Sequence, residues 1–172
     1  MKHIVIETDR LYLREFQQED INDLAMILQD ERVMTAYEKH FSHQDVQDWL
    51  DRQLERYQRD GFGLWVAEEK ESGKVVGQIG LTLQPVKEDI VLEVGYLLKY
   101  DAWHNGYARE GALACKRYAF DILHAKKLHA IIKTDNMASI QVARFLGMKH
   151  EATFEKEYAV GSRTHYLFAV HC

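Results

Sequence analysis

Three apolar runs, at 64–68, 74–83 and 90–98, are separated by links too short to hold anything but turns. Glu69-Lys70-Glu71-Ser72-Gly73 and Val86-Lys87-Glu88-Asp89 are polar, and links of that length fold a chain back antiparallel to itself. Three consecutive antiparallel strands therefore fix the middle of the chain as a sheet that the remaining elements must cover. The lone proline, Pro85, falls near the end of the second run, where a strand end or turn tolerates its missing N–H.

The flanks supply the covering elements. A first strand is predicted over 10–16, where Leu11 and Leu13 alternate with Tyr12 and Arg14. Ile21, Leu24, Ala25 and Leu28 keep the spacing of one buried helical stripe. Ser42 with Asp45 reads as an N-cap and its acidic partner, with Val46, Trp49, Leu50, Leu54 and Tyr57 on one face and Gly61 as the stop. The strongest helix spans 106–123. Ala108, Gly111, Ala112, Cys115, Ala119 and Ile122 fall on one side, and Arg109, Glu110, Arg117 and Asp121 on the other. A strand at 128–133, a helix at 138–146 stopped by Gly147, and strands at 151–160 and 165–170 joined across Gly161-Ser162 complete the chain. The predicted order is β-αα-βββ-α-β-α-ββ, an α/β (α+β) mixed sheet with helices around it. No repeat or Pro/Gly-rich linker divides it, so one domain over 1–172 is expected.

Charge and composition remove several functions. A formal net charge of -5 repels phosphate backbones, so nucleic acid is not an expected partner. Two cysteines are too few for a disulfide scaffold. No apolar run has the length of a membrane span, and 1–7 lacks a signal peptide's apolar core, so the cytoplasm is the expected compartment. The nine histidines form no recognised ligand spacing, and no metal is expected. Trp65, Tyr96 and Tyr107 read as core.

The informative stretch is Glu93-Val94-Gly95-Tyr96-Leu97-Leu98 followed by Trp103-His104-Asn105-Gly106-Tyr107-Ala108-Arg109-Glu110. It reads as strand, short loop, small residues and helix. A helix start carries unpaired N–H groups and a partial positive charge, and so suits phosphate. Gly106 and Ala108 let a phosphate approach the backbone. Spacing alone leaves this open, since one glycine before a helix is common. Within the strand, Ile90, Leu92, Val94, Tyr96 and Leu98 share one face, and Glu93 lies opposite beside Val91, Gly95 and Leu97. A carboxylate inside an apolar strand is costly without a partner. Glu93 is either an exposed or salt-bridged strand residue or a group with a chemical task.

The segment 103–108 resembles the pyrophosphate loop of the GNAT (GCN5-related N-acetyltransferase) superfamily, Gln/Arg-x-x-Gly-x-Gly/Ala. Glu93–Leu98 is similar to that family's fourth strand, and Asn136-Met137-Ala138-Ser139 … Phe145-Leu146-Gly147-Met148 to its later Asn-x-x-Ser … Leu-Gly-Phe segment. Glu7-Thr8-Asp9-Arg10-Leu11-Tyr12-Leu13-Arg14 is similar to the start of the RimJ/RimL-like branch, which acetylates N-terminal amines of ribosomal proteins. Trp103 departs from Gln/Arg, as in that branch. Ala143 stands where many members place a tyrosine that protonates the leaving thiolate.

The resemblance implies a GNAT-like, mostly antiparallel sheet with helices on both faces, and transfer of acetyl from acetyl-CoA to an amine. It implies that His104, Asn105, Gly106, Ala108 and Arg109 contact the pyrophosphate, mostly through main-chain N–H groups. It gives the backbone of Leu97 and Leu98, and Asn136, to the pantetheine arm. It makes Glu93 the base, acting directly or through water, and Ser139 an acid near the sulfur, with water as the alternative. Arg109 also reads as a solvated residue, and Asn136 and Ser139 as ordinary helix-start residues. Three functions follow: a protein N-terminal acetyltransferase, an acetyltransferase for a small amine such as a polyamine or aminoglycoside, or a non-catalytic acyl-CoA-binding module. The acceptor groove is expected around Thr35, Tyr37, Phe41, Tyr158 and His165. Homodimers are common in the family, and the sequence leaves that state open.

Overall fold

The computed structural model describes residues 1–172. Two short strands, β1 (Ile4–Glu7) and β2 (Leu11–Arg14), lead into helices α1 (Ile21–Leu28) and α2 (His43–Asp60). The antiparallel trio follows as β3 (Leu64–Glu69), β4 (Val75–Val86) and β5 (Asp89–Leu98). Helix α3 (Tyr107–Asp121), β6 (Lys127–Lys133), α4 (Met137–Phe145), β7 (Lys149–Tyr158) and β8 (Gly161–His171) complete the chain. The sheet order is β1-β2-β3-β4-β5-β6-β8-β7. Every neighbouring pair is antiparallel except β5 with β6.

The two faces of the sheet carry separate cores. Leu24, Leu28, Val46 and Leu50 of α1 and α2 pack with Val66 on one face. Ala112, Cys115 and Ala119 of α3, with Ile140 and Ala143 of α4, pack on Trp65, Ile79 and Val94 on the other. Alternation along β5 follows the predicted division, with Leu92, Val94, Tyr96 and Leu98 against the α3/α4 core and Leu97 against the α1/α2 core. Helix α3 lies close to the sheet because Gly111 has no side chain; a Cβ there would sit 2.3 Å from Ile79 Cδ1.

Several expectations are corrected. Residues 4–7 form β1, paired with β2, which the short apolar run beside the chain start did not signal. Pro85, by contrast, falls at the strand end as expected, the penultimate residue of β4. It stands opposite Ile90, beyond the last β3–β4 pair at Gly80, so no neighbouring strand needs its missing N–H. The last hairpin turns at Ala159-Val160, and Gly161 already pairs with Tyr158. Ile122 is 60% exposed because α3 ends one residue before it.

Candidate active site

Strands β5 and β6 run parallel yet share one paired position, Glu93 opposite His129. Beyond it they diverge, so the sheet opens into a cleft whose vertex is Glu93. The carboxylate fills the gap at that vertex: Glu93 Oε accepts the N–H of Ile131 at 2.9 Å. A backbone amide left bare by the divergence is thereby satisfied by a side chain.

The hydrogen-bonding alternation decides which β5 groups face the opening. Val86 and Asp89 flank the β4–β5 turn, Gly77 stands opposite Leu98, and the N–H of Lys99 donates to the Val76 carbonyl at 2.9 Å. Backbone groups of Glu93, Gly95 and Leu97 therefore turn toward β4, and those of Val94, Tyr96 and Leu98 toward the cleft. Both leucines assigned to the pantetheine arm line the cleft, as does Tyr96; the Leu98 and Tyr96 backbones face it, while the Leu97 backbone pairs with β4. The sequence reading gave a four-residue link at Val86–Asp89; the structure closes it to a two-residue turn, and that turn fixes the alternation of the whole hairpin. The Leu98 carbonyl also accepts the indole N–H of Trp103 at 3.2 Å.

The loop into α3 is shaped by two left-handed residues, His104 (φ 63°) and Gly106 (φ 80°). Gly106 is the N-cap and no side chain caps the helix. Asn105 turns away from the helix, donating through Nδ2 to the carbonyls of Ala102 and Trp103 at 3.0 and 2.9 Å. Bare amides at the start of α3 thus lie at the mouth of the cleft, where an anion would complete their hydrogen bonding. His104 and Ala108 line the cleft wall, while Asn105, Gly106 and Arg109 do not. The Arg109 guanidinium lies over the Phe145 ring, 5.2 Å from its centre.

The cleft encloses about 530 Å3 and brings Glu93, Leu98, Asn136 and Ser139 to one space. Asn136 caps α4, its Oδ1 accepting the Ser139 N–H at 3.2 Å, so its Nδ2 remains a donor. Tyr96, read as core, packs against the α3/α4 core and also lines the cleft, donating its hydroxyl to the Ser139 carbonyl at 3.1 Å. Ala143 is buried in the α3/α4 core and offers no proton. On the acceptor side, Thr35, Tyr37, Tyr158 and His165 line the wall. Phe41 does not; it packs edge-on against Trp49. Glu38 faces this wall in an ion pair with Arg163 at 2.7 Å and lies 3.7 Å from Lys133.

Burial raises the Glu93 carboxyl to about 7, against the opposing pull of the Ile131 amide and of Lys156 and Arg56. A carboxyl at that value takes and releases protons near neutrality. Its charge reaches Tyr37 and Tyr158, whose phenols are held above their ordinary value chiefly by burial.

The mixed sheet with one parallel pair and helices on both faces has the architecture of known acetyltransferase structures. A model of the acetyltransferase (GNAT) domain matches residues 10–149, and the chain belongs to the GNAT family of N-acetyltransferases. It is 35% identical over 150 residues to the Bacillus subtilis (strain 168) protein YkkB, covering 87% of each chain. A Bacillus anthracis GNAT-family acetyltransferase structure superposes with a TM-score of 0.82 at 22% identity, over 99% of this chain and 98% of that one. RimL, a ribosomal L7/L12 alpha-N-protein acetyltransferase in complex with coenzyme A, superposes with a TM-score of 0.81 at 14% identity over 98% of both chains. The last two likenesses are of fold.

Proposed function

We propose that this N-acetyltransferase moves the acetyl group of acetyl-CoA to a primary amine, with a protein N-terminal amine as the acceptor. The reading rests on one observation: a carboxyl held at about 7 stands at the vertex of the cleft between β5 and β6. The RimL-like fold and the opening Glu7–Arg14 segment support the N-terminal acceptor.

In this account the α3 amides and the loop 104–106 hold the diphosphate, and the backbone of Tyr96 and Leu98, with Asn136, lines the pantetheine path. Holding amine and thioester together supplies much of the rate. A protein N-terminal amine, with a pKa of about 8, is mostly protonated at neutral pH, so a base must keep it reactive. The neutral nitrogen attacks the thioester carbon and forms the C–N bond. Glu93 takes a proton from that nitrogen, directly or through a water. The C–S bond breaks, its electron pair leaves on sulfur, and the thiolate gains a proton from Ser139 or water. Cleft-facing N–H groups of β5 can donate to the carbonyl oxygen as its charge develops.

Thiol release from acetyl-CoA across peptides with free N-termini and small amines, with products identified by mass spectrometry, tests the reading. Acetylated peptide N-termini are expected. Turnover of small amines alone would overturn the N-terminal acceptor, and coenzyme A binding without turnover on any amine would overturn catalysis.

A further inference from the structure

Tyr158, half-buried, and His165, buried, form a pair on the acceptor wall that the base and the coenzyme A groups do not use. Their rings are stacked, 5.7 Å apart at 23°, and the Tyr158 hydroxyl lies 2.9 Å from His165 Nε2. His165 is 3% exposed, and its Nδ1 lies 3.0 Å from the Arg163 carbonyl oxygen.

The direction of this chain is fixed by what each atom can do. A carbonyl oxygen only accepts, so Nδ1 carries the hydrogen. Burial lowers the His165 pKa, so the ring is neutral at neutral pH and Nε2 is bare. Nε2 must then accept, and the Tyr158 hydroxyl must donate to it. With its one hydrogen turned toward His165, the phenol oxygen keeps only acceptor capacity for the cleft. Both residues line the space that Glu93 enters.

A neutral primary amine has two N–H donors and one lone pair. If one N–H goes to Glu93 and the other to Tyr158 Oη, the lone pair is left for the thioester carbon. The geometry points to Tyr158, oriented by His165, as the acceptor that positions the amine's second N–H and selects primary over secondary amines. Tyr158 is thus a contact residue and His165 a positioning residue. The inference rests on the acetyl-transfer reading above.

Two readouts separate the pair's role from that reading. Nitrogen NMR of imidazole-labelled protein at neutral pH reports the His165 tautomer without any acceptor. A protonated Nδ1 and a bare Nε2 are expected, with the Nε2 resonance shifting in Tyr158→Phe as its hydrogen bond is lost. A proton on Nε2 would overturn the proposal and leave the acetyl-transfer reading standing. Turnover is then compared for benzylamine and an alanyl pentapeptide, each beside its N-methylated counterpart. In Tyr158→Phe the acceptor KM should rise and the primary-over-secondary preference fall, each by about tenfold, with the acetyl-CoA KM unchanged. His165→Gln, whose side-chain oxygen can accept from Tyr158, should keep more of the preference than His165→Leu. An unchanged preference in folded Tyr158→Phe, or equal loss in both His165 variants, would overturn the assignment. A wild type silent toward every amine would overturn the acetyl-transfer reading and this inference together.

Discussion

Helices α2 and α3 begin in opposite ways. At α2, Ser42 Oγ accepts the Asp45 N–H at 3.1 Å and the Asp45 carboxylate accepts the Ser42 N–H at 2.9 Å. At α3, Gly106 offers no side chain, and Trp103 and Asn105 turn back to carbonyls upstream. Helix α3 is held from its side instead. Glu110 accepts from Thr8 and from Arg10 Nε at 2.6 and 2.8 Å, and the Tyr107 hydroxyl donates to Glu69 at 2.6 Å. A helix clamped along its flank can leave its tip open. The contrast separates an end closed by its own side chains from an end left open.

Breaking the open end should give the largest effect. Gly106→Glu puts a carboxylate and a side chain where the bare amides await an anion. Coenzyme A affinity should fall on the order of a thousandfold or more, the sum of several charge-assisted hydrogen bonds. The fold should persist, at a cost of about 1–2 kcal/mol for a non-glycine left-handed residue. Calorimetry with coenzyme A and a thermal melt check both halves; unaltered affinity contradicts the placement.

Glu93 sharpens the comparison, because it too covers a bare amide, yet at the cleft vertex. Glu93→Gln can keep the Ile131 bond while losing the proton transfer. Turnover should drop about a hundredfold, and the rise of rate through pH 7 should disappear. The same variant carries a stability signature. Well below the ordinary carboxylate value of 4.5 both folded and unfolded chains hold the Glu93 proton. As pH rises toward 7 the unfolded chain gives it up and the folded one keeps it, so stability falls across that window and levels off above it. Removing the carboxylate should therefore favour the variant progressively between about pH 4.5 and 7, by about 1–3 kcal/mol at the upper end. Parallel melting curves that never diverge with pH would contradict the raised carboxyl.

Smaller effects come from the capped ends. Helix α4 is an intermediate case, capped by Asn136 yet facing the cleft. Ser139→Ala should lower kcat by about tenfold or less, since a thiolate with a pKa of about 8.5 needs little help to leave. An intact kcat assigns the proton to water. Ser42→Ala should cost about 1 kcal/mol of stability, read as a lowered Tm, and leave coenzyme A affinity untouched.

Periodicity made the central trio, all four helices and the face carrying Glu93 legible, because each depends on neighbours close in sequence. Capping chemistry was legible for the same reason at Ser42, and the absence of a cap at Gly106. The β1–β2 pairing was not: residues 4–7 acquire their structure from a partner strand, and three apolar residues beside the chain start carry no period of their own. The vertex position of Glu93 was not legible either, since it depends on β5 meeting β6 across α3. The choice between Leu97 and Tyr96 was hidden by reading side-chain alternation alone, when the backbone alternates as well. The Tyr158–His165 pair joins strands whose turn was placed two residues late, so its direct contact was out of reach.

Titrating isotope-labelled protein with coenzyme A and following backbone amides tests the central claim most directly. The resonances of His104 to Arg109 should shift first and furthest, while those of His43, Gln44 and Asp45 at the start of α2 stay in place. Shifts that bypass the start of α3, or that appear equally at both helix starts, would contradict the account.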